Sequence, residues 1–245
     1  MDAIQDFLPR RRALILAGSA LALTFGLPQR AHADATPLKI GMIGTGRVGS
    51  GLAELLAGAG HELLISSRHP EALKPLAERL GPRVRIGTPE DAARFGDVVV
   101  VSVPYGALPQ VGREFGPLMK GKVVLDTCNP FPGRDGEMAN AAREKGAAIA
   151  SAEYLPGVRL VRAFNTIPAA ALRKDARAGD QRIAVPLAAD DAEALQVAIR
   201  LVRDTGFEPV TVGGLARAKS FDVGSAVFGK TLSVAELRQA LGIVQ

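Results

Sequence analysis

Residues Leu38 to Arg68 read LKIGMIGTGRVGSGLAELLAGAGHELLISSR. The first six form a short apolar run, the signature of a buried strand. Gly44-x-Gly46-x-x-Gly49 follows at once. Apolar residues then recur at Val48, Leu52, Leu55 and Leu56, the spacing of one helix face. A glycine motif between a strand and a helix is far more specific than the motif alone. Gly44 allows the tight turn, Gly46 lets backbone approach a diphosphate, and Gly49 lets helix and strand pack closely. The helix start then presents N–H groups and a positive dipole end to the phosphates.

The end of the same stretch decides which dinucleotide. Ser66, Ser67 and Arg68 stand where an NAD-binding fold carries an acidic residue for the ribose hydroxyls. A carboxylate would repel a 2′-phosphate, whereas the Arg68 guanidinium offers a planar fork of donors to one. Ser66 or Ser67 can add a hydroxyl, and Lys74 follows one to two helical turns on. This pattern selects NADP(H). His69 adjoins the pocket and reads as a surface residue.

Outward from this stretch, strand-like runs recur at Val84–Gly87, Val98–Ser102, Lys122–Asp126, Arg159–Phe164, Arg182–Leu187 and Glu208–Val212. Helix-compatible segments fall between them at Glu71–Leu80, Pro89–Phe95, Glu137–Lys145 and Asp191–Asp204. The alternation predicts an α/β, Rossmann-like doubly wound parallel sheet over 37–214, with a C-terminal extension over 215–245. That extension starts as a Gly-rich loop and closes with a helix from Ser233, where Ser233 and Glu236 form a capping-box pattern.

Residues 1–33 read as an address. Arg10, Arg11 and Arg12 precede an uncharged run, Ala13 to Leu27, shorter than the about 20 residues of a membrane-spanning helix. Ala31-His32-Ala33 offers a small-x-small cleavage site. RRALIL resembles a twin-arginine signal, which implies the twin-arginine export machinery as a partner and a periplasmic location. An ordinary secretory signal or an uncleaved anchor are the alternatives.

Composition excludes other classes. The net charge of +5 falls to +3 without residues 1–33, which hold four Arg and two Asp, and no dense basic block remains. Aromatics are 4% and Trp is absent, so neither a phosphate-tracking surface nor stacking platforms for nucleic acid are indicated. A single cysteine, Cys128, permits no intrachain disulfide and reads as a packed small residue. No hydrolytic triad or metal-ligand spacing is present, so no protein nucleophile is assigned. The expected partner is a small-molecule redox acceptor. The oligomeric state stays open, a homodimer included.

Four segments together carry a family resemblance: IGMIGTGRVGSGLAELLAGAGHELLISSR, VVVVSVPYGAL, KVVLDTCNP and LVRAFNTIPAAAL. They resemble the NADPH-dependent coenzyme F-420 reductases. They are also similar to the oxidoreductase domain of six-transmembrane metalloreductases, which pass electrons from NADPH through flavin and haem to ferric or cupric ions. The resemblance implies hydride transfer between NADP(H) and a flavin-like ring, either coenzyme F-420 or a flavin. It also implies site residues: Thr45, Gly46, Arg47 and Val48 on the diphosphate, and Ser67 and Arg68 on the 2′-phosphate. Val103 and Pro104 would lie by the nicotinamide ribose, with Ile167 and Ala169 fixing the nicotinamide through backbone groups. The tail after Gly214 is expected to help form the acceptor pocket. The competing readings are an exported NADP(H)-binding module without turnover and a ferric or cupric reductase acting through flavin.

Overall fold

The computed structural model describes residues 36–174 and 182–243. The leader expected over 1–33 lies outside the described residues. Strand β1 (Lys39–Ile43) feeds the glycine turn and helix α1 (Arg47–Gly58), and β2 (Glu62–Ser66) returns beside β1 in parallel register, Ile43 opposite Ser66. A short 3₁₀ turn (Pro70–Leu73) and α2 (Lys74–Leu80) lead to β3 (Val84–Gly87). Next come α3 (Pro89–Phe95), β4 (Val98–Val101), α4 (Leu108–Met119) and β5 (Val123–Asp126). Three helices follow, α5 (Pro132–Asp135), α6 (Glu137–Lys145) and α7 (Ala147–Tyr154), before β6 (Arg159–Arg162) and α8 (Ala169–Lys174). The chain closes with β7 (Ala184–Ala189), α9 (Ala192–Asp204), β8 (Glu208–Gly213) and α10 (Val234–Leu241).

The sheet order is β3-β2-β1-β4-β5-β6-β7-β8. The order reverses at β1 and β4, the switch point where ligands of doubly wound sheets bind. Both faces of the sheet are buried, which is why its strands read as continuous apolar runs rather than alternating ones. Val98 and Val100 join Ile40 and Met42 in one core cluster, while Val99 and Val101 join Ile43 in the other. Successive side chains therefore feed two separate helix layers. Among the described residues no helix is long and apolar enough to cross a membrane.

The α/β doubly wound architecture agrees with the sequence reading, with three differences. First, the sheet is not wholly parallel: β6 and β7 pair antiparallel, through Val161↔Ala189 and Arg162↔Ala188. Helix α8 is held against α1, where Arg173 Nε donates to Glu54 Oε2 at 3.0 Å and Arg173 Nη2 to Ser50 Oγ at 2.6 Å. Second, the segment after Gly214 is not a loop but a 3₁₀ turn, Leu215–Phe221. Leu215, Ala218 and Phe221 are buried at a spacing of three, the period that puts side chains of a 3₁₀ turn on one face. Third, α4 carries Pro117 inside and Gly112 and Gly116 along one side, so local propensity is poor. Packing overrides it. A Cβ on Gly112 would come 1.7 Å from the Tyr154 carbonyl oxygen, so α4 and α7 approach as closely as backbone allows.

Candidate functional site

A cleft of about 760 Å³ opens along the strand ends and is lined successively by the loops after β1, β2, β4 and β5. Gly44, Thr45 and Gly46 come from the first loop, and Ser67, Arg68 and His69 from the second. Val103, Pro104 and Gly106 come from the third, and Arg134 and Asp135 from the fourth. Gln110, Val111, Glu114 and Phe115 of α4 form a side wall.

The glycine turn is built as the motif demands. Gly44 has φ of +94°, and a Cβ there would also lie 2.4 Å from the Ser102 carbonyl oxygen. A Cβ on Gly49 would lie 2.2 Å from the Gly44 oxygen, so helix and turn are in contact only because that side chain is missing. Gly46 differs: a Cβ there meets no protein atom within 4 Å. Its emptiness serves an approach from the cleft, not protein packing. Gly46 is also the N-cap of α1, with no side-chain cap and no acidic residue in the first turn. The positive end of the helix is thus left to an external anion.

Thr45 Oγ1 donates to the Ser66 carbonyl at 2.9 Å, tying this turn to the end of β2. The two serines there have different jobs. Ser66 is fully buried and its hydroxyl donates to the Met42 carbonyl at 2.7 Å, so it is not available to a phosphate. That corrects the expectation that either serine serves: the hydroxyl of Ser66 is spent on joining β1 to β2. Ser67 lines the cleft, and its oxygen accepts the His69 N–H at 3.0 Å, leaving its own proton to donate. Arg68 is exposed and has no hydrogen-bond or ion-pair partner among the described residues. A cation and a hydroxyl with no acid between them fit a 2′-phosphate. Lys74 starts α2 on the exposed surface and does not line the cleft.

Of the remaining expected residues, Val103 and Pro104 line the cleft, while Arg47, Val48, Gly49, Ile167 and Ala169 do not. Gly49 is buried behind the turn, Val48 packs on the core, and Ile167 is a core residue. Arg47 and Val48 can reach a ligand through their helix-start N–H groups. Ala169 begins α8 and is half-buried.

Sequence reasoning missed a buried ionic network under the far end of the cleft. Arg162 is 0% exposed and bonds Asp126 Oδ2 at 2.9 Å, Asp222 Oδ1 at 3.1 Å, Asn129 Oδ1 at 3.0 Å and the Cys128 carbonyl. Burial alone would lower its pKa, but Asp126 and Asp222 more than offset that and raise it. The signal was an arginine inside the apolar run RLVRAF. The adjoining loop is strained: Phe164 has φ of +57°, a conformation that costs a non-glycine residue roughly 1–3 kcal/mol. It is held by Phe207, edge-on at 6.1 Å, and by Asn165, whose amide donates to the Phe221 carbonyl at 3.1 Å. Asn129 Nδ2 donates to the Asn165 carbonyl at 2.8 Å. Cys128 spaces two strands: its sulfur accepts the Val103 N–H at 3.4 Å and donates to the Val101 carbonyl at 3.5 Å. Burial, then the neighbouring Asp126, pushes its thiol well above the usual range, so it packs rather than reacts.

The chain's likenesses agree with this geometry. Residues 39–130 match the family model described as NADP oxidoreductase, coenzyme F420-dependent. The F420-dependent NADP reductase of Methanothermobacter thermautotrophicus is 33% identical over 198 residues, covering 74% of this chain and 84% of that protein. The metalloreductase STEAP3 of Rattus norvegicus is 27% identical over 187 residues, covering 75% of this chain but only 36% of that longer protein. A hypothetical protein of Sinorhizobium meliloti superposes with a TM-score of 0.68 at 27% identity, over 81% of this chain and 96% of that one. With the uncapped glycine turn, the acid-free Ser67–Arg68 end of β2 and these likenesses in hand, the chain belongs to the coenzyme F-420-dependent NADP oxidoreductases, a family of NADP-dependent enzymes.

Proposed function

We propose that the protein transfers a hydride between NADP(H) and a flavin-like acceptor, coenzyme F-420 or a flavin. The observation that carries the cofactor half is Arg68: an unpaired guanidinium beside Ser67, opening on the cleft where an acid would reject a 2′-phosphate. Gly44 to Val48 hold the diphosphate through helix-start N–H groups, and Val103 and Pro104 flank the next ribose. Bound NADPH supplies the hydride and its electron pair. The protein's work is to hold two rings in contact and keep water out. The tail completes the acceptor side, a reading supported by Phe228 packing edge-on against Phe131 at 6.3 Å and by the Gly229 N–H donating to the Thr166 carbonyl at 3.0 Å. The F-420 reductase likeness spans most of that relative's length, which favours a deazaflavin over a metal-reducing chain.

The test is a fluorescence titration with NADPH and NADH, followed by NADPH oxidation with coenzyme F-420, FMN and ferric chelate. Strong NADPH preference with F-420 or FMN turnover is expected. Equal affinity for both nucleotides sinks the NADP reading, and retained NADPH without any turnover favours a binding module. We also propose export by the twin-arginine route, supported by Arg10–Arg12, the apolar run after them and Ala31–Ala33. The mass of the native N-terminus decides it: a chain starting near Asp34 is expected, and an intact Met1 overturns it.

A further inference from the structure

Arg134 is the most constrained exposed cation in the cleft. Its Nε donates to Asp135 Oδ1 at 2.9 Å, and its Nη2 donates to Asp135 Oδ2 at 2.8 Å and to the Asn129 carbonyl at 2.7 Å. The guanidinium carbon lies 5.2 Å from the centroid of Phe131. Yet the side chain is 45% exposed and lines the cleft, and its Nη1 has no partner among the described residues. An exposed arginine ordinarily gives up rotamer freedom to bind; this one has already lost it, so the ordering cost falls outside the binding step.

Asp135 makes the arrangement rigid. Its side chain is only 2% exposed and also accepts the Phe131 N–H at 3.0 Å and the Gly106 N–H at 3.1 Å. One carboxylate therefore clamps the loop after β5 to the loop after β4. Its charge is shared among four donor contacts, and the outward N–H groups of Arg134 stay free for a ligand. Phe131, 39% exposed, is the exposed large hydrophobic among the described residues, and it adjoins this guanidinium.

Strand order says what that ligand is. The sheet runs β2-β1-β4-β5, and those strands end in Ser67–Arg68, the glycine turn, Val103–Pro104 and Arg134 respectively. Neighbouring strands are about 4.8 Å apart, so the four loops span about 14 Å in a line. The first three account for 2′-phosphate, diphosphate and ribose. The fourth is one strand past the ribose, on the nicotinamide side, where an acceptor must lie against the ring that exchanges hydride with it. Resting on the function proposed above, we infer that Arg134, backed by Phe131, is the acceptor's recognition residue. It takes an oxygen anion or carbonyl edge of a planar conjugated acceptor, through Nη1 and the flat face of the guanidinium. Two sources of that oxygen exist on such acceptors: the ring's carbonyl edge and a side-chain phosphate.

The experiment measures binding without turnover, by quenching of acceptor fluorescence in protein saturated with oxidised NADP. Probes are FMN against riboflavin, and coenzyme F-420 against its chromophore stripped of the phosphate-bearing side chain. Arg134→Gln should weaken acceptor binding about ten- to a hundred-fold, the range for a charge-assisted bond, with NADP affinity held. Its thermal midpoint should fall, because Asp135 loses two of its four donors, so affinities are compared well below that midpoint. Arg134→Lys, which keeps charge but not the fork or stack, should fall between. An equal loss for both members of a pair assigns the ring edge; a loss confined to FMN or intact F-420 assigns the phosphate. Acceptor affinity unchanged in both variants overturns the inference alone. A wild-type protein that binds NADP but none of the four probes overturns the acceptor reading, and this inference with it. Weakened NADP binding with acceptor binding intact reassigns Arg134 to the dinucleotide.

Discussion

The hydroxyl of Thr45 and the carbonyl of Ser66 are joined by a 2.9 Å hydrogen bond, which makes the glycine turn and the end of β2 one mechanical unit. Thr45→Val removes that donor without much change of shape. It should destabilise the fold by about 0.5–1.5 kcal/mol in urea and weaken NADPH several-fold. Unchanged affinity would mean the two phosphate subsites are positioned independently.

Arg68→Ala should lower NADPH affinity about one to two decades and leave NADH within twofold, because only the 2′-phosphate is lost as a partner. The serines separate in the same assay. Ser67→Ala should weaken NADPH selectively. Ser66→Ala should cost about 1 kcal/mol of stability through the lost Met42 bond and leave the NADPH-to-NADH ratio alone. A reversed pattern would refute the roles assigned to them.

Gly49→Ala places a methyl 2.2 Å from the Gly44 oxygen, which is backbone and has no rotamer to yield. The helix must move from the turn, at about 1–3 kcal/mol, and NADPH binding should be lost with it. Gly46→Ala meets no protein atom, so its stability should hold while NADPH affinity falls. Calorimetry with and without NADPH distinguishes the two.

Removing Asp222 leaves part of the buried Arg162 charge unmatched. Asp222→Ala should destabilise the protein by about 3–5 kcal/mol, the range for breaking a buried pair from one side. Asp222 also accepts the Ala147 N–H at 2.9 Å, so Asp222→Asn should recover part of the loss. Equal stability of Asp222→Ala and wild type in denaturant would show that Asp126 alone satisfies Arg162.

His61 gives the fold a mild acid sensitivity. Its Nδ1 accepts the Leu38 N–H at 3.2 Å, and its Nε2 faces Asp204 Oδ2 at 3.1 Å, so it is held neutral with the proton on Nε2. Burial lowers its pKa from the ordinary 6.5, with Arg200 adding to that and Asp204 opposing it. The unfolded chain therefore protonates first as pH falls. Stability should be full above about 6.5 and decline below it. Thermal midpoints measured from pH 7.5 to 5.0 should drop in wild type and flatten in His61→Gln. A flat wild-type profile contradicts the assignment.

What could be read from the sequence was what lies close along the chain. The glycine turn before its helix and the Ser233 capping box depend on neighbours within a few residues, and both stand as read. The antiparallel pairing of β6 with β7 depends on where α8 docks, through Arg173 on α1, over 100 residues away in the chain. Ser66 looked equivalent to Ser67 because period-two alternation says which side a residue faces, not which carbonyl waits there. Arg134 gave no signal, since its meaning comes from the bond between Asp135 and Gly106 across two loops.

The Arg162 network has a consequence for how the molecule is made. Arg162 lies in β6, but Asp222 follows it by sixty residues, after β7, α9 and β8. On a ribosome the guanidinium emerges well before its second carboxylate, with Asp126 as its sole acidic partner in the interim. The strained loop at Phe164, which leans on the Phe221 carbonyl through Asn165, waits for the same stretch. The network beneath the far end of the cleft therefore cannot close before Asp222 is made. It closes only when nearly the whole chain has been synthesised, so a prematurely ended product keeps the dinucleotide turn but lacks the finished far wall.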